Sequence, residues 1–306
     1  MGDGDYVLPV AKPVGPTSHD VVAMARRSLG TRRVGHTGTL DPFASGLLVL
    51  CIGRATRLAE YLSGLDKHYV AEARLGVTTD TLDREGVVVS EHEGWQSLDE
   101  DAVRAGLRSF VGDLEQVPPQ YSAKKVDGEA MHRKARRGES VDLAPVPVRV
   151  HSLELLRYEA PDVEFAVHCS TGTYVRALAR DLGEVLGVGA HLTALHRTRV
   201  GGFDVADALS VDDLGSAASV AARRVSPLEA LSHWTTVRVE GEEAERLRHG
   251  QRVRVEAPLP VGGVREADEA EAGSGEGLVA VAHEDDLVAV ARFENGVLKP
   301  AKVFPA

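Results

Sequence analysis

The sequence predicts an α+β fold, a large body of strands and short helices followed by a small strand-rich module. Three observations carry that expectation. Residues 67–77 alternate, with Tyr69, Ala71, Ala73, Leu75 and Val77 on one side and Val70, Glu72, Arg74 and Gly76 on the other, which is the two-residue period of a half-buried strand. Helical stretches recur between such strands, each with a capping signal and one apolar face, as at 17–29 and 97–110. Near the C-terminus, residues 278–304 hold strand-forming runs around Asn295 and Gly296, a dipeptide suited to a hairpin turn.

Taken in order, residues 6–10 form a first strand, and KPVGPTS hands over to a helix that Thr17 and Asp20 cap. Val21, Val22, Ala25 and Leu29 share one face of it before Gly30 closes it. Residues 35–47 read GHTGTLDPFASGL, a loop in which glycines, a proline and hydroxyl side chains surround a single acid, Asp41. Pro42 biases Asp41 away from helix, so a stiffened turn presents the carboxylate. The apolar run LLVLCIG then gives a buried strand at 47–52 and a short helix at 55–62. After the alternating strand, GVTTDTLDREG is a polar, hairpin-like connection to a strand at 87–90.

Ser97 and Glu100 form a second capping box, with Val103, Leu107 and Phe110 as the buried stripe of its helix. A proline-stiffened loop and a short basic helix at 129–137 precede strands at 148–157 and 163–169. Thr173 can cap the next helix, whose Tyr174, Leu178, Leu182 and Val185 point inward while Arg176 lies on another face. A strand or loop at 192–199 follows. A boundary at 226–234 divides a body, residues 1–232, from a module, residues 233–306, that carries an acidic Pro, Gly, Ala and Glu-rich insertion at 257–277.

With 306 residues and 43% hydrophobic content the chain has material for a real core. Its longest apolar run is far short of the roughly 20 residues that cross a bilayer, so a cytoplasmic protein is expected. Cys51 and Cys169 each sit in an apolar run, which suits reduced core thiols. With no paired Cys spacing and 12 scattered histidines, no metal site is proposed. The net charge of −11 opposes a nucleic-acid ligand only at face value, because residues 240–306 carry more than half of it. Arg26, Arg27, Arg32 and Arg33 cluster before the Asp41 loop, and Lys124, Lys125, Arg133, Lys134, Arg136 and Arg137 fall in one stretch. Patches rather than totals set phosphate binding.

Two residues stand out chemically. Asp41 is either a turn aspartate bonding its own backbone or a functional carboxylate. Arg176, in the first turn of its helix, sits beside the positive end of the helix dipole and calls for an anion, with Asp181 and Glu184 as nearby surface carboxylates.

GHTGTLDPFASGLL resembles the signature loop of the standalone tRNA pseudouridine synthases of the TruB type, in which the catalytic aspartate precedes the proline. Further matches follow in family order: KPVGPTSHD at 12–20, DKHYVAEARLGVTTDTLDREG at 66–86, CSTGTYVRALARDLGEVLG at 169–187 and GAHLTALHRTRVG at 189–201. The resemblance implies the mixed, largely antiparallel sheet of a pseudouridine synthase catalytic domain for residues 1–232 and a PUA-like RNA-binding module for 233–306. It implies isomerisation of the uridine at position 55 in the tRNA T-loop, with Asp41 as the catalytic group. By the same resemblance Tyr69 stacks on the target base, Arg176 pairs with Asp41, and His36 fills the space left when the base is flipped out. Lys12 supports the loop, Leu195 and Arg197 line the pocket, and Asp80 and Asp83 match family aspartates. No cofactor is implied. The expected partner is the T-arm of tRNA, bound by a monomer without guide RNA or membrane. The chain departs from the family at His132, where a tyrosine is usual.

Overall fold

A computed structural model of the chain describes residues 4–121, 125–126, 129–130, 143–255 and 277–305. The body is built on one ten-stranded sheet. Its main path runs β14 (Leu209–Ser210), β1 (Tyr6–Lys12), β3 (Ser45–Ile52), β12 (Ala190–Val200), β4 (Lys67–Leu75), β11 (Asp162–Cys169), β10 (Val146–Glu159) and β7 (Gly112–Gln116). Two short strands join it, β2 (Val34–His36) on β3 and β13 (Phe203–Asp204) on β12. Among the described strands of this sheet only β1 with β14 and β3 with β12 pair in parallel. The architecture is therefore mixed α+β with a largely antiparallel sheet, as the pattern and the resemblance led one to expect.

Why the apolar run at 47–52 has no alternation is clear from its two faces. Leu47, Val49 and Cys51 enter one core cluster, while Leu48, Leu50 and Ile52 enter another that holds the Ser18–Ser28 helix. A strand covered on both sides reads as continuously hydrophobic. The half-buried strand β4 behaves as its period predicts through Leu75, beneath the helices Glu100–Arg108 and Val175–Val185. Gly76, at φ +83°, then breaks it, and Val77 starts a separate strand, β5 (Val77–Thr79), paired with β6 (Val88–Glu91).

Several local expectations are corrected. The Glu100–Arg108 helix is capped by Asp99, whose side chain accepts from Ala102 N at 2.8 Å, and Ser97 instead ends a 3-10 turn. An acid next to the first helical residue is the stronger cap there. Thr173 does not cap the Val175–Val185 helix, because its hydroxyl donates to Ser170 O. Gln116 takes the end of that helix, accepting from Tyr174 N and donating to Tyr174 O. Val185 is exposed rather than inward. Glu129–Ala130 is a strand, paired with Lys125–Val126, where a helix was expected; the rest of 129–137, His132 and most of the second basic cluster lie outside the described residues.

The C-terminal sheet has the order β15 (Thr236–Arg238), β17 (Leu278–His283), β18 (Asp286–Glu294), β19 (Val297–Val303) and β16 (Val253–Arg254). Asn295 and Gly296, at φ 51° and 74°, make the hairpin between β18 and β19. One face of this sheet holds the Gly241–Arg248 helix, and on the other face Ala280, Leu287 and Val290 share a core cluster with Val49, Leu58 and Leu62 of the body. The acidic insertion at 257–277 lies, except for Gly277, outside the described residues. Both cysteines are buried free thiols, which burial pushes up to about 12.

The Val175–Val185 helix reaches β12 through Gly183. A Cβ there would stand 2.3 Å from Ala190 N and Gly189 C, backbone atoms that cannot step aside. Gly183→Ala is expected to lower stability by at least about 1–3 kcal/mol, the range for overpacking, read as a lower thermal midpoint. A midpoint equal to wild type would show that the helix is not clamped at this point.

Candidate active site

Asp41 lies between two buried anchors of its own loop, Leu40 and Phe43. The backbone around it is held from several directions. Ser18 Oγ donates to Leu40 O at 3.0 Å and accepts from Leu40 N at 2.8 Å. Lys12, 1% exposed, donates from Nζ to Ala44 O at 2.7 Å and to Pro13 O at 2.9 Å, and reaches Pro42 O at 3.4 Å. Arg197, 2% exposed, donates to Leu47 O at 2.7 Å, Gly38 O at 3.0 Å and Thr39 O at 3.4 Å. Gly46, at φ +105°, lets β3 close on Arg197, whose carbonyl oxygen would be 2.3 Å from any Cβ. A glycine loop thus becomes rigid through two buried cations.

Arg176 meets the presented carboxylate. Its Nε lies 3.0 Å from Asp41 Oδ2 and its Nη2 3.4 Å from Oδ1. Nη1 donates to Asp83 Oδ2 at 3.1 Å and Thr81 O at 2.8 Å, and Nη2 also donates to Tyr121 O at 2.7 Å. Both terminal nitrogens are thus fully engaged in hydrogen bonds, and Nε adds an ion-pair contact. The surface carboxylates that could have served Arg176 belong instead to Arg180, at 2.7 Å from Asp181 and 3.9 Å from Glu184. Asp83 is itself fixed, accepting from Thr81 Oγ1 at 2.6 Å and Glu85 N at 3.0 Å.

Electrostatics follow from this packing. Burial raises the carboxyl of Asp41 above its ordinary value, with Asp83 adding to the rise and Arg176 and Lys12 opposing it. Burial brings Lys12 down to about 8 against the pull of Asp41. His36 is lowered by burial first and then by His19 and Arg197.

Tyr69 is buried on β4 opposite Arg197 of β12, and burial raises its phenol. Leu195, buried on β12 opposite Ala71, packs in the same cluster as Tyr69, Leu40 and Phe43. His36 stands at the start of the loop, where it accepts from Gly38 N at 3.3 Å and meets His19 edge-on at 5.5 Å. The structure therefore gathers Asp41, Arg176, Asp83, Tyr69, Arg197, Lys12 and Leu195, with His36 at the margin. Asp80 does turn duty, accepting from Val87 N at 2.8 Å.

Sequence reasoning missed Lys67, 6% exposed, which donates to Ser63 O at 2.9 Å and to Leu65 O. Burial lowers it to about 8, with Arg197 adding to the shift. Its signal was present, since it shares the parity of Tyr69 on the alternating strand. Gln116 had no such signal, because its role depends on a partner 58 residues away.

Comparison with known proteins puts this chain in a class. The model of the TruB family pseudouridylate synthase N-terminal domain matches residues 26–175, and that of the tRNA pseudouridylate synthase B C-terminal domain matches 176–232. The class is that of the pseudouridine synthases, which are isomerases, and the chain belongs to the TruB family. It is 44% identical over 304 residues to the tRNA pseudouridine synthase B of Burkholderia mallei (strain NCTC 10247), spanning 98% of this chain and 96% of that protein. It is 49% identical over 263 residues to the namesake from Thermobifida fusca, spanning 83% and 87%. Among solved structures, an H/ACA RNP bound to a substrate RNA containing 2'-deoxyuridine holds a similar chain, with TM-score 0.72, 25% identity and coverage of 98% and 85%. The archaeal box H/ACA sRNP Nop10-Cbf5 complex gives 0.72, 26%, 98% and 86%. The segment matched by the family's C-terminal model includes Arg176 and β12, so it belongs to the ten-stranded sheet of the body.

The pairing of Asp41 and Asp83 across one arginine has a measurable sign. Asp83 raises Asp41, so Asp83→Asn is expected to move the Asp41 carboxyl titration, followed by carbon NMR, to lower pH. In the wild type it should lie above 3.8. An upward shift in the variant would mean that Asp83 acts mainly by aiming Arg176.

Proposed function

We propose that this chain isomerises uridine to pseudouridine at position 55 in the T-loop of tRNA, with Asp41 as the essential carboxylate. The observation that carries the reading is the contrast within the ion pair. The arginine side chain is 6% exposed with both terminal nitrogens fully hydrogen-bonded, while the carboxylate it holds is 34% exposed, aimed at whatever enters. A merely structural pair has no need to leave one partner open.

In this isomerisation the N1–C1′ bond breaks, the uracil turns over, and C5 joins C1′ while its proton leaves and N1 gains one. No oxidation state changes, so no cofactor is required. One carboxylate suffices, as nucleophile toward the ribose or as base toward a ribose C–H, and both roles need it ionised. Arg176 keeps it so, since an opposite charge at contact favours the carboxylate. Tyr69 offers a buried ring face for stacking on the base beside Leu195. The uridine has to leave its stack first, at a cost of a few kcal/mol, and His36 at the loop's start fills the vacated place.

Binding rests on phosphates. Arg26, Arg27, Arg32 and Arg33 are exposed on the approach to the Asp41 loop. Residues 233–306 act as a second RNA-binding unit, PUA-like, through the exposed Arg246, Arg252 and Arg254 together with Arg248. The enzyme works on tRNA as a monomer, without guide RNA, in the cytoplasm. The names of the bacterial relatives support the substrate, and no helix among the described residues is long and apolar enough to cross a membrane.

Tritium release from a tRNA transcript labelled at uridine C5, with no guide RNA present, tests the reading. Wild type should release one tritium per tRNA, and Asp41→Asn none that is detectable. Affinity for tRNA should stay within about tenfold, or about 1.4 kcal/mol, because phosphate contacts carry most of it. Asparagine suits the same turns as aspartate, so substantial residual release would return Asp41 to a structural role.

A further inference from the structure

On the face of the sheet turned away from Tyr69, three side chains from separate strands converge. Asp66 immediately precedes β4, His151 is in β10 and His168 in β11. His151 Nε2 is 2.9 Å and His168 Nε2 3.8 Å from the same oxygen, Asp66 Oδ2. The three donor atoms lie within 4.8 Å of one another. None belongs to the active site described above, and at separations of 85 residues from Asp66 to His151 and 17 from His151 to His168 they are too scattered for any spacing motif to show. We propose that Asp66, His151 and His168 form a binding site for one divalent transition-metal ion of the zinc class.

The argument starts from how the donors are aimed. His168 lies on the even face of β11, since Val163, Phe165, Val167 and Cys169 fill the core on the odd face. His151 reaches the same side through a register shift. Val150 pairs with Cys169 and Ser152 with His168, so His151 is the extra residue of a bulge. Val150 and Leu153 both remain in the core, leaving the two residues between them to the opposite face. Bulges re-aim side chains in this way. Asp66 is fixed by its backbone, whose carbonyl accepts from Gly201 N at 2.9 Å. The His168 ring is backed by His68, stacked at 3.9 Å with 10° between planes.

Distances then select the occupant. A four-coordinate ion with bonds of about 2.0–2.1 Å holds its donor atoms about 3.3 Å apart, midway between the two separations observed here. Two imidazoles and one carboxylate suit zinc and its neighbours rather than calcium or magnesium, which take oxygen donors. Three protein donors leave a fourth position for water. An ion here would tie β4, β10 and β11 together from the side opposite the active site, a structural clamp. The competing account is an ordinary hydrogen-bonded Asp–His cluster.

Cobalt titration of the tag-free, chelator-stripped full chain separates them. The expected result is one equivalent bound with the strong visible absorption of a four-coordinate ion, abolished by zinc, and a thermal midpoint that zinc raises. His151→Gln and His168→Gln should each weaken binding by more than about tenfold and remove the zinc-dependent rise. Pale, six-coordinate cobalt in the wild type, or equal affinity in both variants, would overturn the site. Since wild type itself gives the first readout, a variant that fails to fold leaves the proposal open to refutation.

Discussion

The candidate active site depends on one buried guanidinium. Arg176 stands in the first turn of a helix, where a cation is unfavourable, and its burial requires that every donor and the charge be answered. Asp83 and two carbonyls do this from below, and Asp41 completes it from the open side. Removing one partner of such a pair typically costs about 3–5 kcal/mol, so the helix, the loop at 37–44 and the 79–85 turn are energetically one object. The helix is positioned in turn by Gln116 at its start and Gly183 near its end.

The same packing sets a tension between stability and chemistry. Folding raises the titration of Asp41, so this group favours the fold below the ordinary carboxylate value of 3.8 and loses that contribution as pH rises through the raised value. At neutral pH the ionised carboxylate therefore works against the fold. Lys12 and Arg197 offset this by fixing the loop through its carbonyls. Their own burial needs those acceptors, which ties the rigidity of the loop to the charge placed under it.

Much of this was legible in the sequence wherever the information was local. Alternation located β4 and β11, the unbroken LLVLCI run announced a strand covered on both faces, and Asn295 with Gly296 marked its turn. The misplaced charge of Arg176 asked for an anion. Which anion was not readable from spacing, because Asp41 lies 135 residues away and Asp83 reads as a turn residue until the fold buries it. The caps expected at Ser97 and Thr173 go instead to competing acceptors, Asp99 two residues on from Ser97 and Gln116 on a distant strand. The gathering of Asp66, His151 and His168 left no trace in spacing at all, since a bulge decides where His151 points.

The shared apolar cluster between the body and the C-terminal sheet has a consequence for how the protein is made. Leu58 and Leu62 emerge from the ribosome long before Ala280, Leu287 and Val290, the side chains that cover them. At about 5–20 residues per second the wait lasts on the order of ten seconds or more, and for roughly its last 4–16 seconds, once β14 has been made, a finished sheet carries an uncovered apolar flank. Arg54 and Arg57, which hold the Pro305 and Val303 carbonyls once the last strand arrives, sit on that flank and keep it partly wet in the interval. Vectorial synthesis, rather than the chemistry of uridine, is therefore the circumstance in which this seam is most exposed to aggregation.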